Sequence, residues 1–181
     1  MVKSADRLRF EEIFATLPGG WLSEKEGWAL WQAANRTEGP ILEIGVYWGR
    51  STVLLAHLER PMYCVDPFAG FAKKDYKGDI AEAKWRKNTE PFDNITLFKM
   101  HVEDWEPRPC GFCYLDGDHS FVGTKAQCDK AMACNPTIIA AHDVSSGGGG
   151  QHVKRACLKK LGKPATHNEK LATFNMKKVK K

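Results

Sequence analysis

The chain has 181 residues, enough for one domain that buries about two thirds of its unfolded surface. Hydrophobic content of 43% and charged content of 27% are ordinary for a globular protein, and no apolar run approaches the roughly 18 residues of a membrane helix, which excludes such a span. The net charge of +5 owes much to Lys177, Lys178, Lys180 and Lys181 and to Lys154, Arg155, Lys159 and Lys160; this reads as a solvated tail and makes nucleic acid a disfavoured partner.

Lys3, Asp6, Arg7 and Arg9 stand where a secretory signal would need an apolar core, so a cytoplasmic protein is expected. Residues 1–35 read as helical with a break at Pro18-Gly19-Gly20. Ser23-Glu24-Lys25-Glu26 matches a capping box, which predicts a helix running through Trp28, Leu30 and Trp31. Residues 1–37 are thus a helical segment or lid, and residues 38–181 a core. That core opens with the apolar run Ile41–Val46, a loop with glycines at 45 and 49, and a helix over residues 50–59. Strand, glycine turn and helix in that order form the front of a nucleotide-binding unit.

Beyond Pro61, Met62–Asp66 is a short strand ending in an acid, and a helix covers residues 79–88. Ile95–Met100 and Phe112–Asp116 are further strands, the first rich in β-branched and aromatic residues. Ser120 caps a helix over residues 121–134 with Val122, Ala126 and Ala133 on one face. Thr137–Ala141 is a fifth strand, followed by His142-Asp143. The run Ser145–Gly150 predicts a mobile loop, an active-site flap or a linker, since no Lys-Ser/Thr follows as a phosphate-binding loop requires. A helix over residues 151–161 buries Val153, Ala156, Cys157 and Leu161, and residues 166–168 and 171–176 close the sheet. The six cysteines, including the Cys110-x-x-Cys113 pair, fit free buried thiols.

Strands alternating with helices predict an α/β fold, a Rossmann-like three-layer sandwich with a mainly parallel seven-stranded sheet and an antiparallel last strand. In such sheets ligands bind beyond the carboxyl ends of the strands. Polar residues stand at those ends here: Glu43 and Gly45, Asp66, His101, Asp116, His142 and Asp143. Asp66 lies 21 residues past Gly45, placed to accept hydrogen bonds from ribose hydroxyls. The turn is Gly-x-x-x-Gly rather than G-x-G-x-x-G, which argues against a pyrophosphate and for a nucleoside without one.

Glu43-Ile44-Gly45-Val46-Tyr47-Trp48-Gly49-Arg50-Ser51 resembles the first motif of class I S-adenosylmethionine-dependent methyltransferases. Val65-Asp66-Pro67-Phe68 is similar to their ribose-binding acid. Tyr114–Ser120 and Ile138–Asp143 resemble the later motifs of the bacterial small-molecule O-methyltransferase family that includes macrolide-sugar O-methyltransferases, and the similarity spans residues 38–160. The resemblance implies S-adenosylmethionine as cofactor and a small-molecule hydroxyl as acceptor. It places Glu43, Gly45, Tyr47, Gly49 and Ser51 around the methionine end, Asp66 on the ribose, and His101 and Val102 beside the adenine. It further implies that Asp116, His142 and Asp143 hold a divalent ion such as Mg²⁺, and that Asp116 and His119 serve catalysis, His119 as general base.

His142 departs from the relatives, which often carry an acid there; an imidazole favours a softer metal or leaves the site empty. A homo-oligomer is a candidate assembly, because the short C-terminal region leaves the pocket open or covered by a partner subunit. Two other readings share the sheet: an NAD-type oxidoreductase, against which the missing G-x-G-x-x-G speaks, and a non-catalytic nucleoside- or nucleic-acid-binding protein.

Overall fold

The structure, a computed structural model, describes residues 4–69 and 78–176; the basic tail and part of the segment between the second and third strands lie outside the described residues. Two helices come first, α1 (Ala5–Thr16) and α2 (Glu24–Asn35). The expected capping box is present: the Ser23 hydroxyl accepts from the Glu26 N–H while the Glu26 carboxylate accepts from the Ser23 N–H. Then follow β1 (Ile41–Ile44), α3 (Arg50–Ala56), β2 (Met62–Val65), α4 (Gly78–Thr89) and β3 (Ile95–Phe98). After a short 3₁₀ turn at Val102–Asp104 come β4 (Phe112–Leu115), α5 (Phe121–Ala133), β5 (Ile138–Ala141), α6 (Gly150–Leu161), β6 (Thr166–Asn168) and β7 (Leu171–Asn175).

The seven strands form one sheet in the order β3-β2-β1-β4-β5-β7-β6. The first five pair in parallel, and β7 runs antiparallel to both β5 and β6. Because β1, β4 and β5 are covered on both faces, each reads as an uninterrupted apolar run apart from Glu43. Alternate residues still divide between two cores. Ile41, Met62, Cys64, Phe112, Tyr114, Ile138 and Ala140 pack beneath α1 to α4, with Phe10, Leu30, Trp31, Leu54, Leu55 and Trp85. Leu42, Ile44, Val65, Cys113, Leu115, Ile139 and Ala141 face α5 and α6, with Cys128, Ala131, Val153 and Cys157. The three layers are therefore as expected, and among the described residues no helix is long and apolar enough to cross a membrane.

Three local readings are corrected. The first helix of the core ends at Ala56, because Leu58 and Glu59 donate back to Leu55 and Ala56 and Glu59 adopts a left-handed φ of 58° that turns the chain toward Pro61. β3 stops at Phe98 rather than Met100. The buried face of α5 is Gly123, Thr124, Gln127, Cys128 and Ala131, while Val122 is 75% exposed and Ala133 lies in solvent. Polar ties set that rotation: Gln127 donates to the Asp118 carbonyl at 2.8 Å and accepts the Gly117 N–H at 3.1 Å, and Thr124 donates to Asp118 at 3.2 Å. All six cysteines are free and buried.

Gly45, the first residue past β1, fixes how closely the loops approach. Its φ is +84°, and a Cβ there would lie 2.3 Å from the Asp116 carbonyl oxygen and 2.5 Å from the Gly117 Cα. The obstruction is backbone, which cannot swing aside. Gly45→Ala is therefore expected to lower stability by roughly 2–5 kcal/mol, read from urea unfolding, the sum of a left-handed L-residue and an overpacked contact. An unchanged urea midpoint would contradict the close approach of the first and fourth strand tips.

Candidate active site at the strand tips

The carboxyl ends of β1, β2 and β4 open into a cavity of about 340 Å³. Gly45, Tyr47, Asp66, His101, Val102 and Asp116, all singled out from the sequence, line it. A narrower recess of about 50 Å³ shares Gly45, Tyr47 and Asp116 with the main cavity and adds Trp21, Arg50, Ser51 and Tyr114. Tyr47, which lines both spaces, holds left-handed backbone without being glycine (φ 47°), as do Phe68 (φ 49°) and Asp143 (φ 53°), which line neither. Strain of this kind costs about 1–3 kcal/mol per residue and gathers where a side chain must be aimed.

Asp66 is 7% exposed at the tip of β2. Its two oxygens accept the Val46 and Phe68 N–H groups at 2.8 and 2.7 Å, so the carboxylate draws the β1 and β2 loops together. Burial pushes its pKa up, and those backbone donors oppose the shift. With the Tyr47 N–H as a third backbone donor, the carboxylate still has acceptor capacity left for a ligand hydroxyl.

Glu43 and Gly49 border neither space. Gly49 starts α3 from a φ of 90°, with Trp85 against it. Glu43 is fully buried beneath the loop, where Ser51 and Thr52 donate to its two oxygens at 2.5 and 2.6 Å. Burial drives its pKa up to about 8 despite those hydroxyls, so it anchors α3 to β1.

Beside Asp116 lies a chain of alternating charges. His119 Nε2 is 3.2 Å and His142 Nδ1 is 3.4 Å from Asp116 Oδ1, and His119 Nδ1 is 3.4 Å from Asp143 Oδ2. The Tyr114 hydroxyl donates to the other Asp116 oxygen at 3.2 Å, and Lys170 Nζ sits 3.3 Å from Asp143. Burial disfavours the Asp116 charge, yet the two imidazoles outweigh it and hold the pKa at about 2. The Asp116 hydrogen bond raises His119 against the opposing effect of burial. His142, 5% exposed, is disfavoured as a cation by burial, but Asp116 and Glu26 lift it to about 10.

Glu26 and Lys170 were not among the residues singled out. The Glu26 carboxylate does more than close the α2 capping box. One oxygen accepts the Lys170 N–H at 3.0 Å, and the other stands 3.4 Å from His142 Nε2, a contact that falls short of a hydrogen bond. Burial opposes its charge, but His142 and the Ser23 and Lys170 N–H groups bring its pKa down to about 2. α2 is thereby tied to the end of β5 and the start of β7. Among the described residues, Asp116, His142 and Asp143 form the one group able to hold a metal ion, with one ligand atom each within 4.8 Å of the others. Gly147, Gly148 and Gly149 have nothing within 4 Å of their would-be Cβ atoms, and Lys154 of α6 donates to the Ser146 hydroxyl at 2.8 Å.

An aromatic run borders the recess. Tyr47 stacks on Trp48 with ring centroids 4.6 Å apart and on Trp21 at 4.8 Å, and Lys84 Nζ lies 3.4 Å from the Trp48 ring centre.

No protein-family model and no curated protein matches the chain. Solved structures do. CalS11, a TDP-rhamnose 3'-O-methyltransferase of calicheamicin biosynthesis, aligns over 97% of this chain and 96% of its own at 16% identity, with a TM-score of 0.61. An O-methyltransferase from Bacillus cereus in complex with S-adenosylhomocysteine (SAH) covers 97% and 93% at 17% identity and a TM-score of 0.58. The SAH-bound Podospora anserina methyltransferase PaMTH1 covers 97% and 89% at 14% identity and 0.59. Over nearly its whole length, the chain carries the Rossmann-like fold of these methyltransferases.

Proposed function

We propose that the protein transfers a methyl group from S-adenosylmethionine to a hydroxyl of a small molecule. The observation that carries this reading is the convergence of Gly45, Asp66 and Asp116, from three adjacent strand tips, on one cavity of about 340 Å³. S-adenosylmethionine, when bound, supplies an electrophilic methyl: the acceptor oxygen forms the O–C bond, the C–S bond breaks with its electron pair left on sulfur, and the acceptor proton is released. Asp66 takes the ribose hydroxyls, and Gly45, Tyr47 and Ser51 border the methionine end. His101 and Val102 border the adenine. His119, held between Asp116 and Asp143, receives the acceptor proton, and the two carboxylates then stabilise the imidazolium.

The donor set also fits a divalent cation. His142 turns Nδ1 toward Asp116 and Nε2 toward Glu26, the arrangement of a ligand imidazole with a carboxylate behind it. Asp116, His142 and Asp143 would hold the ion, and one nitrogen among oxygen ligands suits Mn²⁺ or Zn²⁺ better than Mg²⁺. A divalent cation held there lowers the pKa of a coordinated hydroxyl.

Calorimetry with SAH tests the reading. The wild type is expected to bind, and Asp66→Ala to bind roughly tenfold to a hundredfold more weakly, the loss of hydrogen bonds to a charged acceptor. A wild type that ignores SAH would overturn the assignment.

A further inference from the structure

Residues 18–22 link α1 to α2, and one side chain clamps them from below. The Arg50 guanidinium donates from Nη1 to the Pro18 carbonyl at 2.7 Å and from Nε to the Leu22 carbonyl at 3.0 Å. It also packs 4.5 Å from the centre of the Phe14 ring. Between the two clamped carbonyls, Gly20 lies so near α3 that a Cβ would come 3.0 Å from the Arg50 side chain. The loop is therefore held at both ends and pressed against the helix that follows the glycine turn.

What this loop presents is Trp21. It is 77% exposed, more than any other exposed large apolar side chain among the described residues. Leaving an indole in water forgoes a large burial gain, and its one ring contact among the described residues is with Tyr47. One face rests on Tyr47 at an interplanar angle of 23°, and Tyr47 is itself nearly parallel to Trp48, at 12°. Tyr47 takes a left-handed backbone to stand there. The rest of the Trp21 indole is open, and its edge borders the recess that reaches Asp116.

We propose that Trp21 is the wall on which the acceptor lies, and that the acceptor is an aryl alcohol, a flat ring with its hydroxyl at the edge. This rests on the methyltransferase reading above. The recess, about 50 Å³, is bordered by the Gly45, Tyr47 and Ser51 that face the methionine end, and it leaves no room for the body of an acceptor. The acceptor therefore lies at the mouth of the recess, its hydroxyl toward Asp116 and its ring outside, where Trp21 is. The near-parallel rings already fix the plane an incoming ring adopts, and offset stacking rewards a second flat π-face there. Trp21 thus acts as a specificity residue, and Arg50 positions it.

The test is calorimetry on the full chain saturated with SAH. 2-Naphthol is the aryl probe and methyl α-L-rhamnopyranoside the sugar probe, each titrated into wild type, Trp21→Ala and Trp21→Phe. The expected result is 2-naphthol binding that weakens about tenfold in Trp21→Ala and is largely kept in Trp21→Phe, while SAH affinity moves far less. The proposal is overturned if 2-naphthol fails to bind the SAH-loaded protein or binds Trp21→Ala as well as wild type. It is equally overturned if the rhamnoside binds in a Trp21-dependent way and 2-naphthol does not. In each of those cases SAH still binds and the methyltransferase reading survives; loss of SAH binding by the wild type removes both.

Discussion

Asp116→Asn is expected to lower methyl transfer about a thousandfold while leaving SAH binding within a few-fold of wild type. The asymmetry follows from where the carboxylate stands. It borders the cavity, but its oxygens are engaged by Tyr114, His119 and His142, so its charge is spent on the base and on the candidate metal ligands rather than on the adenosyl group. An asparagine keeps the shape and the Tyr114 contact. It removes the negative charge that raises both imidazoles, so His119 holds an incoming proton less well and His142 keeps only Glu26 and the more distant Asp143, 3.9 Å away. Removing the charge from this half-buried cluster also costs stability, on the order of 1–3 kcal/mol. Three readouts separate these effects: transfer of a labelled methyl to an aryl acceptor, SAH calorimetry, and the histidine titrations followed by NMR. Unaltered methyl transfer with shifted histidine titrations would leave Asp116 a structural hub and move the chemistry elsewhere.

The same residues mark what a sequence can disclose. Asp66, Asp116, His142 and Asp143 are legible because each stands at the end of a short apolar run, and in a parallel sheet the ends of such runs must gather along one edge. Parallel strands covered on both faces carry no alternation to be misread, so their positions emerge from hydrophobicity alone. Glu26 was hidden by its own local sufficiency: a capping box accounts for a glutamate at that position, and nothing local predicts a partner 144 residues away. Trp21 was hidden in the same manner, since an aromatic after Pro-Gly-Gly reads as loop filler until Arg50 and Tyr47 are seen to aim it. Glu43 shows a different limit. Its place in the first motif implied a cofactor contact, but a side chain pointing into the layer under the loop meets Ser51 and Thr52 instead. For α5, the stripe Val122, Ala126 and Ala133 has sound helical spacing, and only the bonds from Gln127 and Thr124 to the loop after β4 decide which stripe turns inward.

Stability is expected to peak near pH 5 and fall as the pH rises to 8.5, and Glu43→Gln is expected to flatten much of that fall. The direction follows from which state holds the proton. Glu43 titrates at about 8 in the fold against 4.5 when free, so between those values the folded protein carries a proton that the unfolded chain has lost. Its contribution is whole below pH 4.5 and is lost as the pH climbs through 8, at about 1.4 kcal/mol per unit. His142, raised to about 10 from 6.5, adds a slope of the same sign that begins near pH 6.5. Glu26 and Asp116, both lowered to about 2, work in the other direction and matter only in acid; above pH 5 they are ionised in both states and add nothing. From Glu43 alone the total is about 5 kcal/mol, on the order of 10 °C in melting temperature for a chain of this size. Glutamine imitates the protonated acid in shape and neutrality, so Glu43→Gln should match the wild type near pH 5 and exceed it at pH 8.5, leaving only the part that belongs to His142. Melting curves from pH 5 to 9 decide it, and an identical slope in the two proteins would mean that Glu43 is ionised in the fold. The consequence reaches the cavity. Thr52 receives the Trp85 N–H at 3.2 Å while donating to Glu43, so a neutral Glu43 closes a hydrogen-bonded path from α4 through α3 to β1. Ionising it places a second negative charge near Asp116 beneath the glycine turn, which disfavours both charges.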